Sequence, residues 1–515
     1  MTIVNTNMGS MIAKASLASQ NRNMEDAIEK LSSGLRINSA SDDAAGMAIS
    51  GRMESTIRGL SQAIRNSSDG KNMFDTIEGA SVETVNILQR IRELAVQAAN
   101  DSNTGLDRSF LQKEITQLVA EVDRISSHTT WNGKKLLDGT LSGQQIQIGM
   151  FNDEDITFSV DSMASGSIGN YEVDTVNEVD LNASAGAAVI TDNTFTIVGS
   201  VGSKTVTATA ATAKQHAAIT NSVTAETGVT ATAVTKVKIN GLAKAGSHTV
   251  NGAYTMALQG TNTTATTITF TIDVASDMRA LRDAVNNVSG TTGITAKMGA
   301  TNADVILTHS TGEDIVITAF DGAGDETATN YHTLVVTALA ADETAQTSGV
   351  VGAAAVTDAS GFKATLSTAS DDPYLSTRTH GTVKFQSSEA FSISGYQTDA
   401  LPSSSTNGSL ASLASVSLST AANAEKAIRI VDGALHKINT VRADLGAKSN
   451  RMDAAIDNLT NVVTNTQASQ SHIQDADFAA ETSKLTKAQI LAQAATSMLA
   501  QANTSKQNVL TLLQG

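Results

Sequence analysis

The chain is 515 residues long, carries a net charge of −16, has no cysteine and 2 prolines, and is 3% aromatic. Such a length holds several domains; the missing cysteines exclude disulfides and thiolate metal sites, and the acidic balance argues against nucleic-acid binding, which needs clustered Lys and Arg. Packing must rest on Ala, Val, Ile, Leu and Met, which suits long helices with narrow seams beside β regions rich in Thr and Val.

The opening MTIVNTNMGSMIAKASLASQ has no basic segment followed by an apolar run, so it does not read as a secretory signal. No run of about 18 apolar residues occurs, so no membrane span is expected. A first zone, about 1 to 140, is helical. Its stripe is Val4, Met8, Met11, Ala15 and Ala18, resumed by Met24, Ile28 and Leu31. Gly34 follows where a left-handed cap is required. Ser41 and Asp42 offer side-chain oxygens to the next helix, and Asp43 suits the positive end of its dipole. That second helix is long. Ile77, Ala80, Thr84, Ile87, Ile91, Leu94 and Ala98 alternate three and four apart, a coiled-coil seam. Gly51, Gly59, Gly70 and Gly79 weaken it and imply close partners. NDSNTG breaks the run, and a third helix spans about Leu106 to Ser127, with Phe110, Ile115, Leu118, Val122 and Ile125 apolar.

From about 141 to 405 the pattern changes to alternations such as TFTIVGSVGSKTVTATA and TITFTIDVA, which predict strands. A partial repeat lies inside: NSVTAETGVTA (Asn221 to Ala231) matches NNVSGTTGITA (Asn286 to Ala296). Each copy follows a helix-like stretch and precedes a Val/Ile-rich strand. Two related α+β units are expected, joined through LAKAGSHTVNGAY. Helix returns from about 406. Ile428, Val431, Leu435 and Ile438 open a seam that continues, after a small phase drift, through Val441, Leu445, Met452, Ile456, Leu459 and Val463. SHIQDADFAAET interrupts it, and a last stripe runs Leu491, Ala495, Met498, Ala502, Ser505, Val509, Leu512. The predicted fold class is α+β multidomain: paired N- and C-terminal coiled-coil helices, an all-α inner part, around a β-rich variable central insert.

AIEKLSSGLRINSASDDAAGMAIS, LQRIRELAVQAAN and WNGKKLLDG closely resemble the N-terminal part of bacterial flagellin, and VRADLGAKSNRMDAAIDNL and KAQILAQAATSMLAQANTSKQNVLTLL resemble its C-terminal part. The likeness covers roughly the first 150 and last 100 residues. The central repeats look like a short insertion motif of flagellins. The resemblance implies an inner tube of terminal helices, an outer tube around it and a middle facing the medium. It implies 1–40 as N-terminal inner-tube helix and elbow, 41–175 as the N-terminal part of the outer-tube domain with a β-hairpin, and 176–400 as the variable surface region. It further implies 401–474 as the C-terminal part of the outer-tube domain and 475–515 as the C-terminal inner-tube helix. Export unprocessed through the flagellar type III channel, with an export chaperone, is expected, as are cap and hook-associated proteins as partners. The protein would be secreted into an extracellular filament, a homopolymer without cofactor, nucleic acid or membrane. The family often has Arg-Ile-Glu-Asp in its final interhelix link, where this chain has His472, Ile473, Gln474 and Asp475; Ser449 stands where Gln is frequent, and the chain ends Leu513-Gln514-Gly515 where an Arg is common.

Subunit packing is expected at Met8, Met11, Ile28, Leu31, Ile87, Ile91, Leu94, Leu435, Leu445, Ile456, Leu491, Met498, Val509 and Leu512. Gly34, Asp42 and Asp43 are expected to form the elbow between inner and outer helices, the acids capping a helix rather than binding a metal. Read from residues, Ile91 and Leu94 belong to the seam and Arg90, Arg92 and Glu93 to a solvated face. By resemblance, Gln89, Arg90, Leu94 and Glu114 match the surface bound by the flagellin-sensing Toll-like receptor, and Arg90 offers a planar fork suited to polar recognition. Val509, Leu510, Leu512 and Leu513 are a buried helix face that the resemblance also connects with cytosolic innate sensors. No H-E-x-x-H occurs, and GAGDETATN near Gly322 lacks the ligand alternation of a calcium loop, so no enzyme is expected. A hook–filament junction protein and a displayed adhesin or hydrolase on a flagellin frame are the alternatives.

Overall fold

The structure, a computed structural model, describes residues 6–175, 179–181, 193–208, 212–244, 252–274, 277–321, 332–340, 343, 363–367, 377–396 and 405–514. The chain divides into two compact units. The first is Met1–Thr76, Gly143–Ser159 and Asp444–Gly515; the second is Ile77–Ser142 and Val160–Ala443. The helices, in chain order, are α1 (Met8–Ser33), α2 (Ala44–Ala99), α3 (Gly105–His128), α4 (Ala213–Ser222), α5 (Thr224–Thr227), α6 (Arg279–Asn287), α7 (Ser289–Thr292), α8 (Ala421–Gln474) and α9 (Phe478–Gln514).

In the first unit α1 begins where Asn7 Oδ1 accepts from Ser10 N at 3.1 Å and ends at Gly34, whose φ of +73° is left-handed and whose N–H reaches Lys30 O. α1 packs along α9. The first half of α2 meets the second half of α8 and a hairpin of Gln144–Gln147 with Asp155–Phe158. Phe74 lies edge-on to Phe158 with ring centroids 4.9 Å apart, and Lys71 binds Asp453 at 2.6 Å. At Gly70, inside this contact, an added Cβ would lie 2.6 Å from Ile146 Cδ1. At Gly51 and Gly79 it would meet nothing within 4 Å.

The seam of α2 differs in register from the predicted one. Leu60, Ala63, Ser67, Gly70, Phe74, Ile77, Ser81, Thr84, Leu88, Ile91, Ala95 and Ala98 are buried, three and four apart throughout. Ile87 and Leu94 are buried beside this line, and Ala80 only partly. The buried hydroxyls are satisfied inside the helix: Ser67 Oγ donates to Ala63 O, Ser81 Oγ to Ile77 O and Thr84 Oγ1 to Ala80 O, all within 2.9 Å. In α8 the buried residues Ala424, Ala427, Val431, Ala434, Ile438, Leu445 and Met452 keep the heptad with no drift, while Ile428 and Leu435 are only partly buried. Small residues recur in both seams between large ones such as Phe74 and Met452, so facing helices can approach closely at those positions. In α3, Ile115, Val122 and Ile125 are buried, but Phe110 is 57% exposed. Thr104 and Asp107 cap that helix reciprocally.

The rest of the second unit holds two copies of one module: a hairpin, a helix, a one-turn helix and a strand. The first comprises Asn193–Val198, Ser203–Ala208, α4, α5 and the strand from Thr230; the second comprises Gly252–Gln259, Thr266–Ile272, α6, α7 and Ile294–Met298. The sequence repeat is the stretch that closes each module. Asn221 and Ala231 exchange two hydrogen bonds of 2.8 Å; Asn286 and Ala296 do the same at 2.9 and 2.8 Å. Thr227 and Thr292 each donate to the carbonyl four residues back, and Gly228 and Gly293 each turn left-handed. The modules have separate cores. One gathers Phe195, Ile197, Val223, Phe385, Ile393 and Tyr396; the other gathers Tyr254, Met256, Phe270, Leu281, Ile294 and Phe320. The strand Thr230–Lys244 serves both, pairing first with Thr382–Ser387 and then with Val305–His309. Most of the predicted LAKAGSHTVNGAY connection and the whole of GAGDETATN lie outside the described residues.

Candidate assembly surface

The face of the first unit follows from what α1 and α9 bury. Their seam is made of small side chains: Ala13 and Ala27 on α1 and Ala488 on α9 are buried, and Asn7 Nδ2 donates to Ala502 O at 3.2 Å. The large apolar residues point outward instead. Met8, Met11 and Ile12 are 56%, 59% and 62% exposed, Ile490 60% and Met498 67%. Ile28, Leu491 and Phe478 are also exposed, while Leu31 is partly buried. Phe478, Thr482, Ile490 and Leu491 line an open groove on α9. Large apolar side chains exposed in this number on one helix pair make it the candidate interaction surface. Val509 and Leu512 belong to α9, but their side chains lie outside the described residues.

The other residues named from sequence fall elsewhere. Ile87, Ile91, Leu94 and Leu445 are buried within their own unit, and Leu435 and Ile456 are partly buried. Ile87, Ile91, Leu94 and Leu445 thus close seams within the monomer.

At the elbow the two acids have distinct tasks. Asp43 Oδ1 accepts from Gly46 N at 2.9 Å and is the cap of α2; the cap is not Ser41 or Asp42. Asp42 closes the preceding turn, accepting from Ser39 N, Ser39 Oγ and Asn38 N. These bonds, the Ser39 amide first, hold its carboxyl below the usual range. A second turn, between α8 and α9, meets this elbow: Arg36 N donates to Gln474 O at 2.7 Å and Ala476 N to Gly34 O at 3.0 Å. The Arg36 guanidinium also reaches Ile473 O, and Ser50 Oγ donates to Gln474 Oε1 at 2.6 Å.

On the second unit Gln89, Arg90 and Glu114 form one exposed patch. Arg90 donates Nε and Nη2 to Glu114 Oε1 at 3.0 and 2.8 Å, and Nη1 to Glu93 Oε2 at 3.0 Å. Hydrogen bonding to the Glu114 carboxylate raises the Arg90 pKa further above its ordinary value. Leu94, by contrast, is 1% exposed and lies inside the unit.

Sequence reading missed the ion pairs between elements: Arg92 with Asp432 at 2.7 Å, Arg442 with Glu78 at 2.7 Å, and Lys437 with Asp161 and Glu389 at 2.6 Å. Each partner is distant in sequence, so no local spacing signals it. Among the described residues no group of three His, Asp or Glu could hold a metal.

The profile of the bacterial flagellin N-terminal helical region matches residues 4–142, and that of the bacterial flagellin C-terminal helical region matches 428–513. The chain is 37% identical over 529 residues to B-type flagellin of Pseudomonas aeruginosa, covering 99% of both chains. It is 35% identical to flagellin of Salmonella choleraesuis and 30% identical to flagellin C of Vibrio cholerae, again covering 99% of both.

Proposed function

Because this chain belongs to the bacterial flagellin family and is a structural subunit of the flagellar filament, not an enzyme, we propose that α1 and α9 form its inner tube. On this reading residues 1–40 and 475–515 line the inner tube, 41–175 and 401–474 build the outer tube, and 176–400 face the medium. The carrying observation is the inverted burial of the terminal pair, alanines inside and Met8, Met11, Ile12, Ile490 and Met498 outside. Each outward side chain gains roughly 25 cal/mol per Å² of apolar area when a neighbouring subunit covers it.

The subunit leaves the cell unprocessed through the flagellar type III channel with its chaperone, and adds to a filament bounded by hook-associated and cap proteins. The patch at Gln89, Arg90 and Glu114 is the contact for the flagellin-sensing Toll-like receptor of hosts.

The test is removal of residues 1–33, or of everything after 477, followed by sedimentation under polymerising conditions. The shortened proteins should stay monomeric and the central modules should still melt cooperatively. Normal fibres from either truncation would overturn the assignment.

A further inference from the structure

A cleft of about 620 Å³ lies in the second unit, lined by α8, the end of the strand Thr382–Ser387 and the hairpin turn at Ser200 and Val201. It belongs to none of the surfaces above. Nearly all its polar side chains are engaged. Asp432 is held by Arg92, Glu389 by Lys437, Ser388 Oγ lies 3.0 Å from His436 Nδ1, and Ser387 Oγ donates to Gly228 O. Two atoms are not. Arg429 Nε and Gln386 Oε1 are both shielded from solvent and have no hydrogen-bond partner. Arg429 makes one long bond, Nη1 to Glu425 O at 3.4 Å, and no ion pair among the described residues.

A buried donor and a buried acceptor left open are costly, the charged one most of all. Of the nearby carboxylates, Glu172 feels the Arg429 charge but is bonded to Lys384 and Lys426, Asp432 is held by Arg92 and Glu389 by Lys437, so none is bonded to the guanidinium. What completes the cleft must therefore bring an anionic acceptor for Arg429 and a donor for Gln386. A carboxylate supplies the first and a hydroxyl the second, and the volume suits a body of pyranose size. We propose that this cleft binds a small hydroxy acid of monosaccharide size, a uronic acid, with its carboxylate on the Arg429 guanidinium and a hydroxyl on the Gln386 side-chain amide. The filament subunit would then carry a ligand site apart from its assembly contacts.

The test is saturation-transfer NMR and calorimetry on the full-length monomer with D-glucuronate and D-glucose. Glucuronate should bind saturably, and glucose about tenfold more weakly or worse, since the charge-assisted bond is lost. Arg429→Gln should weaken glucuronate about tenfold while leaving the melting curve unchanged. No saturable binding, equal affinity for the two sugars, or undiminished binding by a folded Arg429→Gln overturns the proposal. If Arg429→Gln does not fold, the comparison of the two sugars on the unaltered protein decides. A cleft filled by water alone predicts indifference to the carboxylate.

Discussion

The terminal helix pair and the central modules treat apolar side chains in opposite ways. Each module closes a core of its own: Phe385, Ile393, Tyr254 and Leu281 are all buried, and a hairpin and a helix cover them from both sides. The pair α1 and α9 buries mainly alanines and leaves methionines and isoleucines in water. On the proposed reading the modules complete their cores within one chain, whereas the terminal pair is completed by a neighbouring subunit.

The largest effect that would break this contrast is expected in a module. Phe385 is fully buried, so Phe385→Ala should destabilise its module by about 3–5 kcal/mol, measured by thermal unfolding, while sedimentation still detects polymer. Loss of polymer from this variant with its helices intact would show that the modules are not independent of assembly.

Acid should act on the same module. His216 sits in its core with Nδ1 2.6 Å from Tyr396 Oη, and burial pushes its pKa from 6.5 down to about 4. The folded ring is neutral, while the unfolded ring takes up a proton below about pH 6.5. Stability present at neutral pH is therefore lost as pH falls from 6.5 toward 4, by up to about 3 kcal/mol. Stability curves measured against pH should show this loss in the wild-type protein and a flatter profile in His216→Phe. Equal slopes would mean that His216 is not the responsible group.

A smaller effect is expected at the elbow. Gly34 has φ +73° and open space around a would-be Cβ, so its constraint is backbone strain alone. Gly34→Val should cost roughly 1 kcal/mol or more and slow filament growth. Gly34→Asn should retain most growth, because Asn tolerates the left-handed region. Equal growth of all three forms, followed by light scattering, would remove the elbow from the assembly machinery.

The smallest change in the monomer should come from Arg90→Ala. Exposed ion pairs contribute little to stability, so the melting temperature and polymer yield should hold. Signalling in a receptor reporter cell should fall. Full signalling from this variant would exclude Arg90 as a contact.

Much of this was legible in the sequence. Seven-residue periodicity announces α2 and α8, Gly34 announces its own φ, and NSVTAETGVTA against NNVSGTTGITA announces the paired modules. The register of the α2 seam was not legible. Ile87 and Leu94 outweigh Ser81 and Ala95 on any hydrophobicity scale, yet the serine and alanine lie on the central line because they permit close approach and Ser81 satisfies its hydroxyl against Ile77 O. The same preference for size hid Ala427 and Ala434 behind Ile428 and Leu435. Leu94 was read from the residues as a seam position and is buried; its reading as a receptor contact came from the resemblance alone. The cleft at Arg429 could not be foreseen, since it takes side chains from parts of the chain far apart: Ser200, Gln386 and α8.

The bridge at Leu35 and Asp475 has a kinetic meaning. Its neighbours Arg36 and Ile473 are 437 residues apart. Closing a flexible loop of that length costs about 5 kcal/mol in chain entropy, and a hydrogen bond returns only about 1 kcal/mol. The bridge cannot nucleate folding. It forms once the intervening chain is compact, so the Arg36 and Ala476 amides should be among the last to gain protection in pulsed hydrogen exchange during refolding. A subunit interrupted before its final helix therefore has an unlatched elbow, and this contact reports that the whole polypeptide has arrived.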